Sequence, residues 1–199
     1  MEPKLLWLVV VGVAVVIAAA AVWFAVAKRK HERLRQRFGP EYDRTVHETG
    51  DVKRADAMLE ARAERVKRFH IRSLSSADGA RFTNAWRQVE LRFVEDPQRA
   101  TTEADRLIGE AMSARGYPLG DFEQQAADIS VDHPQVVSNY RAAREIKLRH
   151  SRGQASTEDL RQALIHYRAL FQDLVEQPSG PRTQVPHPSH TEPLLKGRS

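Results

Sequence analysis

The chain has 199 residues, a formal net charge of +5 and no cysteine. That length holds one domain with accessories, and the lack of thiols excludes disulfides and cysteine-based metal sites. Ala, Arg, Glu and Leu abound, while Phe, Trp and Tyr number only 7, 3 and 4, a balance that favours helices over a sheet. The charge is unevenly placed. Residues 28–72 carry 14 Lys/Arg against 8 Asp/Glu, whereas residues 1–27 are neutral and residues 73–199 are net −1.

From Leu5 to Ala27 the chain reads LLWLVVVGVAVVIAAAAVWFAVA, 23 residues without a charge. As a helix this run extends about 35 Å, enough to cross a bilayer core of about 30 Å. Trp7 and Trp23 fall near its ends, where indole rings favour the interface. A cleaved signal peptide is the rival reading, and Ala25-Val26-Ala27 has the small-x-small form of a cleavage site. The run is longer than a signal core, and KRKHERLRQR follows it directly. These features predict an uncleaved single-pass anchor over residues 1–27, and the cationic flank places the C-terminal side in the cytoplasm.

Lys28, Arg29, Lys30, Arg33, Arg35 and Arg37 form a basic juxtamembrane stretch. The helix is expected to continue through them to Phe38, where Gly39-Pro40 breaks it. These cations set topology and can also meet anionic headgroups. Within residues 51–70, Val52, Ala55, Leu59, Val66 and Phe69 give a thin apolar stripe interrupted at Arg62. That pattern predicts a solvated helix packed only lightly on the body. Residues 28–72 are therefore read as a basic helical neck. Nucleic-acid binding by this neck is disfavoured, because acids interleave throughout and no stacking pattern appears.

Residues 73–176 carry the body. Phe82, Trp86, Val89 and Phe93 recur at steps of 4, 3 and 4, placing one bulky stripe on a helix. Asp96-Pro97 reads as an N-cap with proline in the first turn of the next helix. Leu107 belongs to the apolar face of that helix, and "RGYP" at 115–118 ends it. Asp121 with Gln124 has capping-box spacing. In "SVDHP", Asp132 is expected to cap a helix opened by Pro134, with Tyr140 on its buried side. Ser156 with Asp159 repeats the capping box. Leu160, Leu164, Tyr167, Phe171 and Leu174 then step by 4, 3, 4 and 3, a core helix or a partner-facing strip.

The predicted fold is therefore all-α: one N-terminal transmembrane helix, a basic helical neck, a small bundle of four or five helices, and a disordered tail. The tail, residues 177–199, holds five of the ten prolines and two histidines. His187 and His190 make a poor metal site there, and Pro178 and Pro181 have PxxP spacing without a basic flank.

Six stretches share a further feature. "RFGPEYDRTV" (37–46), "ELRFVEDP" (90–97), "ADRLIGEAMSARGYP" (104–118), "DFEQQAADISVDHPQVV" (121–137), "NYRAA" (139–143) and "TEDLRQALIHYRALFQDL" (157–174) resemble a widespread bacterial family of membrane-anchored or secreted helical proteins. The resemblance covers residues 37–175, with "HIRSLS" at 70–75 a looser match. It implies a bacterial source and an all-helical body. It brings no activity and no catalytic residue.

No motif in the chain names a reaction, and none calls for a cofactor. The first functional expectation is a non-enzymatic interaction or scaffold module at the bacterial cell membrane, with the lipid bilayer and a protein as partners and a homo-oligomer left open. The second is a ligand-binding or enzymatic site around Asp132 and His133, joined by Asp121, Asp128 and Tyr140 if these converge on a pocket. The third is binding of anionic lipid or nucleic acid by the basic neck.

Overall fold

Residues 3–176 are described by the computed structural model, and among them every regular element is a helix. The elements are α1 (Pro3–Phe38), α2 (Pro40–Thr49), α3 (Val52–Val66), α4 (Ser76–Glu95), α5 (Pro97–Ala114), α6 (Phe122–Ile129), α7 (Val137–Ser151) and α8 (Thr157–Glu176). The all-α expectation holds, and α4–α8 supply a five-helix body. The tail expected over 177–199, with His187, His190 and the Pro178–Pro181 spacing, lies outside the described residues.

Helix α1 is one unbroken rod of 36 residues. It contains Leu5 and Ala27, and its stretch Val11–Phe38 is, by length and composition, long and apolar enough to cross a membrane. Side chains from Val11 to Val26 are all exposed. Further along the same helix, Leu34 and Phe38 are buried at 8% and 0% exposure. Gly39 then takes φ +48°, a left-handed conformation that turns the chain sharply, and Pro40 starts α2.

The body is assembled around α8, which packs against α4, α5 and α7. Phe82, Trp86, Leu107, Tyr140, Tyr167 and Phe171 are all buried, and Phe93 and Leu164 pack against them partly buried. Trp86 stacks on Phe171 with ring centroids 4.7 Å apart, and Phe122 meets Tyr140 at the same distance. Such pairs add about 1 kcal/mol beyond the area they bury.

Side-chain caps begin several helices. Ser75 Oγ accepts from Asp78 N at 3.0 Å, and Asp96 Oδ1 accepts from Arg99 N at 2.9 Å. Ser156 and Asp159 cap reciprocally: Ser156 Oγ accepts from Asp159 N at 3.1 Å, and Asp159 Oδ2 accepts from Ser156 N at 2.8 Å. The Ser156 hydroxyl also donates to Asp159 Oδ2 at 2.7 Å, and that bond, the one from Ser156 N and Arg149 hold the Asp159 carboxyl down at about 2. Asp121 Oδ1 accepts from Gln124 N at 2.9 Å, but the Gln124 side chain does not reach back. It donates instead to Asp128 Oδ1 at 2.8 Å.

Two expectations need correction. Asp132 does not cap α7. Pro134 opens a turn rather than the helix, α7 starts at Val137, and its first residues carry no side-chain cap. The Asp132 carboxylate is taken by the Tyr117 hydroxyl, which donates to Oδ2 at 2.8 Å. Helix α3 is not lightly packed either. Ala55, Leu59, Ala63 and Val66 are buried, and Leu59 forms a second core with Leu34, Phe38, Tyr42 and Val131. Arg62 does not interrupt the stripe, because its guanidinium pairs with Glu41 at 2.9 Å.

Leu59 is fully buried while Val94 is 85% exposed. Leu59→Ala is expected to cost about 2–5 kcal/mol, and Val94→Ala to stay within about 0.5 kcal/mol. Thermal unfolding of the full chain, followed by circular dichroism, checks the pair. Equal melting temperatures for both variants would contradict the packing of α3.

Candidate functional site

The residues carrying acid–base chemistry separate into several buried polar centres rather than one. In the first, Pro40 opens α2 and its second residue, Glu41, points inward at 2% exposure. Its Oε1 accepts from Arg62 Nη1 of α3 at 2.9 Å and from Arg141 Nη2 of α7 at 3.0 Å, with Arg44 Nη1 at 3.4 Å. Arg141 also donates to Glu123 at 2.6 Å. Three guanidiniums around one desolvated carboxylate tie α2, α3 and α7 together.

The second centre joins α3 to α6. Asp128, 1% exposed, accepts from Arg65 Nε at 3.0 Å and Nη2 at 3.4 Å, besides the bond from Gln124. The fork geometry suits a planar guanidinium, so a lysine would not replace it.

The third lies where the turns after α5 and α6 meet the end of α8. His133 Nδ1 pairs with Asp173, and both are buried. Arg115, 2% exposed, donates from Nη1 to the Leu174 carbonyl at 2.8 Å. The Tyr117 ring lies 6.3 Å from the His133 ring. Burial, then the Asp132 carboxylate, pushes the Tyr117 hydroxyl far above its ordinary value. It therefore keeps its proton at any physiological pH. Gly116, at φ +96°, lets the backbone pass against the His70 carbonyl, and Arg72 N donates to the Arg115 carbonyl at 2.9 Å.

The fourth is Asp105, paired with Lys147 and accepting from the Tyr167 hydroxyl at 2.9 Å. Burial first, and Asp105 second, raise both Tyr167 and Tyr140.

The five residues of the ligand or enzyme reading do not converge. Asp121 is an exposed cap, Asp128 is held by Arg65, Asp132 by Tyr117 and His133 by Asp173, while Tyr140 donates to Gln125 Oε1 at 3.1 Å. A groove of about 650 Å³ opens between α2, α7 and the start of α6, lined in part by Arg44, Phe122, Arg141 and Arg144. It includes Asp121 and none of the other four. His133 Nε2 is buried without a hydrogen-bond partner among the described residues. Among the described residues no group of three or more His, Asp or Glu could hold a metal ion.

Of the six basic juxtamembrane residues, Lys28 approaches Glu32 at 4.0 Å, Lys30 meets Glu60 at 2.8 Å and Arg35 meets Asp43 at 3.6 Å. Arg29, Arg33 and Arg37 make no ion pair among the described residues. Sequence reasoning missed Glu41, Arg62, Arg115, Arg141 and Asp173. The available signal was charge on an apolar face. Asp173 sits between Leu170 and Leu174, and Glu41 directly precedes the buried Tyr42.

No family model, curated protein or solved structure matches the chain.

Glu41→Ala leaves three guanidiniums facing each other without their carboxylate and is expected to cost about 3 kcal/mol. Asp43→Ala, on the exposed side of α2, is expected to cost less than about 1 kcal/mol. Urea unfolding of the two variants checks this, and matched midpoints would show that the Glu41 centre does not hold the helices together.

Proposed function

We propose that the chain is a membrane-anchored, non-enzymatic interaction module. On this reading α1 crosses a bacterial cell membrane once and the helical body works on the cytoplasmic side. The observation that carries it is the two-part burial of α1. One continuous helix is apolar and exposed from Val11 to Val26, then buried at Leu34 and Phe38. An exposed apolar rod of that length is unfavourable in water and favourable in lipid. The excess of Lys and Arg directly after it supports the cytoplasmic side, and the family resemblance supports the bacterial setting.

The interaction role follows from what the polar groups do. The buried acids and bases are committed to structural partners, and the five candidate catalytic residues face separate neighbours. On the body surface, Leu91 and Val94 stand 65% and 85% exposed, three residues apart on α4. That spacing puts them side by side. They form a small apolar contact surface suited to a protein partner.

Two measurements test the reading together. Carbonate washing of membranes is expected to leave the full chain in the pellet. Affinity capture of the detergent-solubilised chain is expected to recover one reproducible protein, and Leu91→Glu with Val94→Glu to abolish its recovery without moving the melting temperature. Release of the chain by carbonate contradicts the anchor. Absence of any reproducible partner contradicts the interaction role.

A further inference from the structure

We propose that the turn between α2 and α3 is a second contact with the bilayer, an apolar tip with flanking cations that rests on anionic headgroups. The proposal rests on reading α1 as a membrane span. It starts from the relative direction of the helices. His31 Nδ1 of α1 lies 3.5 Å from Asp56 of α3, and Lys30 Nζ lies 2.8 Å from Glu60. Further along, Leu34 and Phe38 share a core with Leu59, Ala63 and Val66, and Arg37 adds to the positive field on Glu64. The long Lys30 side chain reaches ahead along α3 to Glu60, while the packed ends keep their order: His31 faces Asp56, and Phe38 shares its core with Val66. Two reversals of the chain, at Gly39 and at Gly50, leave α3 running the same way as α1. Helix α2 runs between them in the opposite sense. Gly39 reverses the chain at the end of α1, and the Tyr42 hydroxyl reaches back to His31 at 2.7 Å.

The α2–α3 turn is therefore delivered to the end of the neck nearest the apolar part of α1. Asp56 is level with His31. Four residues earlier in each helix is a drop of about 6 Å. It places Val52 at the level of Ala27, where the apolar run ends.

The chemistry of the turn fits that position. Val52 is 44% exposed. Lys53 and Arg54 beside it are exposed, and neither makes an ion pair among the described residues. The two acids at the turn are both engaged. Asp51 Oδ1 accepts from Lys53 N at 2.7 Å, and Glu48 pairs with Arg44 at 2.5 Å. On α1, Arg29 adds another exposed cation about 3 Å above that level, with Arg33 one turn further along. An exposed aliphatic side chain beside two unpaired cations, presented at the boundary of an apolar zone, is an arrangement that suits an anionic lipid surface. One transmembrane rod alone leaves the body free to rotate about it. A second contact fixes which face of the body looks away from the membrane.

The absence of cysteine makes the test clean, because a single introduced thiol can be labelled. The full chain would carry a fluorophore at Val52→Cys, in vesicles of phosphatidylcholine with about 30% phosphatidylglycerol and lipid-borne quenchers. The same label at Val16→Cys reports the span. The label at Leu119→Cys reports the opposite end, since neighbouring Gly116 lies against His70 beyond the far end of α3. Quenching at position 52 is expected to exceed that at 119 by at least about twofold. It should fall when phosphatidylglycerol is omitted, and equally when Lys53→Gln and Arg54→Gln are combined. Quenching at 52 no greater than at 119, with 16 strongly quenched, overturns the proposal and leaves the anchor standing. Equal quenching at 52 with and without phosphatidylglycerol overturns the role of anionic headgroups. An unquenched label at 16 removes the anchor reading and this proposal with it.

Discussion

Phe38 is fully buried at the end of a helix whose side chains from Val11 to Val26 are exposed throughout. A helix satisfies its own backbone, so a single rod can leave an apolar medium and enter a protein core without unpaired N–H or C=O groups between. In this chain the rod passes through Lys28–Arg37 without a glycine or proline, and only Gly39-Pro40 ends it. The body is thereby joined to the apolar segment by a stiff element rather than by a linker. About 11 residues of helix, roughly 16 Å, separate the end of the apolar run from Phe38, which on the proposed reading sets the height of the body above the bilayer.

Everything after α1 depends on how that rod is gripped. Leu34 and Phe38 sit in a core completed by Leu59, Ala63 and Val66 of α3 and by Val131 from the turn after α6. Apolar burial supplies the driving force, but it is not directional. Direction comes from the charges around it. Glu41 binds arginines from α2, α3 and α7, and Arg65 of α3 forks onto Asp128 of α6. Buried ion pairs add little net stability against an apolar alternative, yet breaking one is costly. Their value here is to specify one register for the neck on the body.

Much of this fold was legible in the chain because its signals are local. Asp96 with Pro97, and Ser156 with Asp159, announce helix starts, since a cap and its amides are three residues apart. The stripe from Leu160 to Leu174 is set by helical period alone. What stayed hidden was long-range. Helix α3 reads as solvated because its apolar positions are thin and Arg62 falls among them. The structure supplies Glu41 for Arg62 from 21 residues away, and Val131 for the core from the far side of α4 and α5. Asp132 reads as a cap beside Pro134, yet Tyr117 captures its carboxylate from 15 residues upstream. The candidate site was hardest for the same reason. Asp121, Asp128, Asp132 and His133 lie close in sequence, but side chains on successive turns of α6 and its loop face different neighbours. Proximity along the chain gave no convergence in space.

The central claim is that α1 remains helical through residues 28–38 when its apolar part is in lipid. Hydrogen–deuterium exchange of the full chain in bilayer discs tests it most directly. The account predicts that amides of residues 28–38 exchange as slowly as those in the middle of α8, because both report opening of a packed helix. Exchange of residues 28–38 at the rate of an unstructured chain, with α8 still protected, would mean that body and anchor are joined by a flexible tether, and would contradict it.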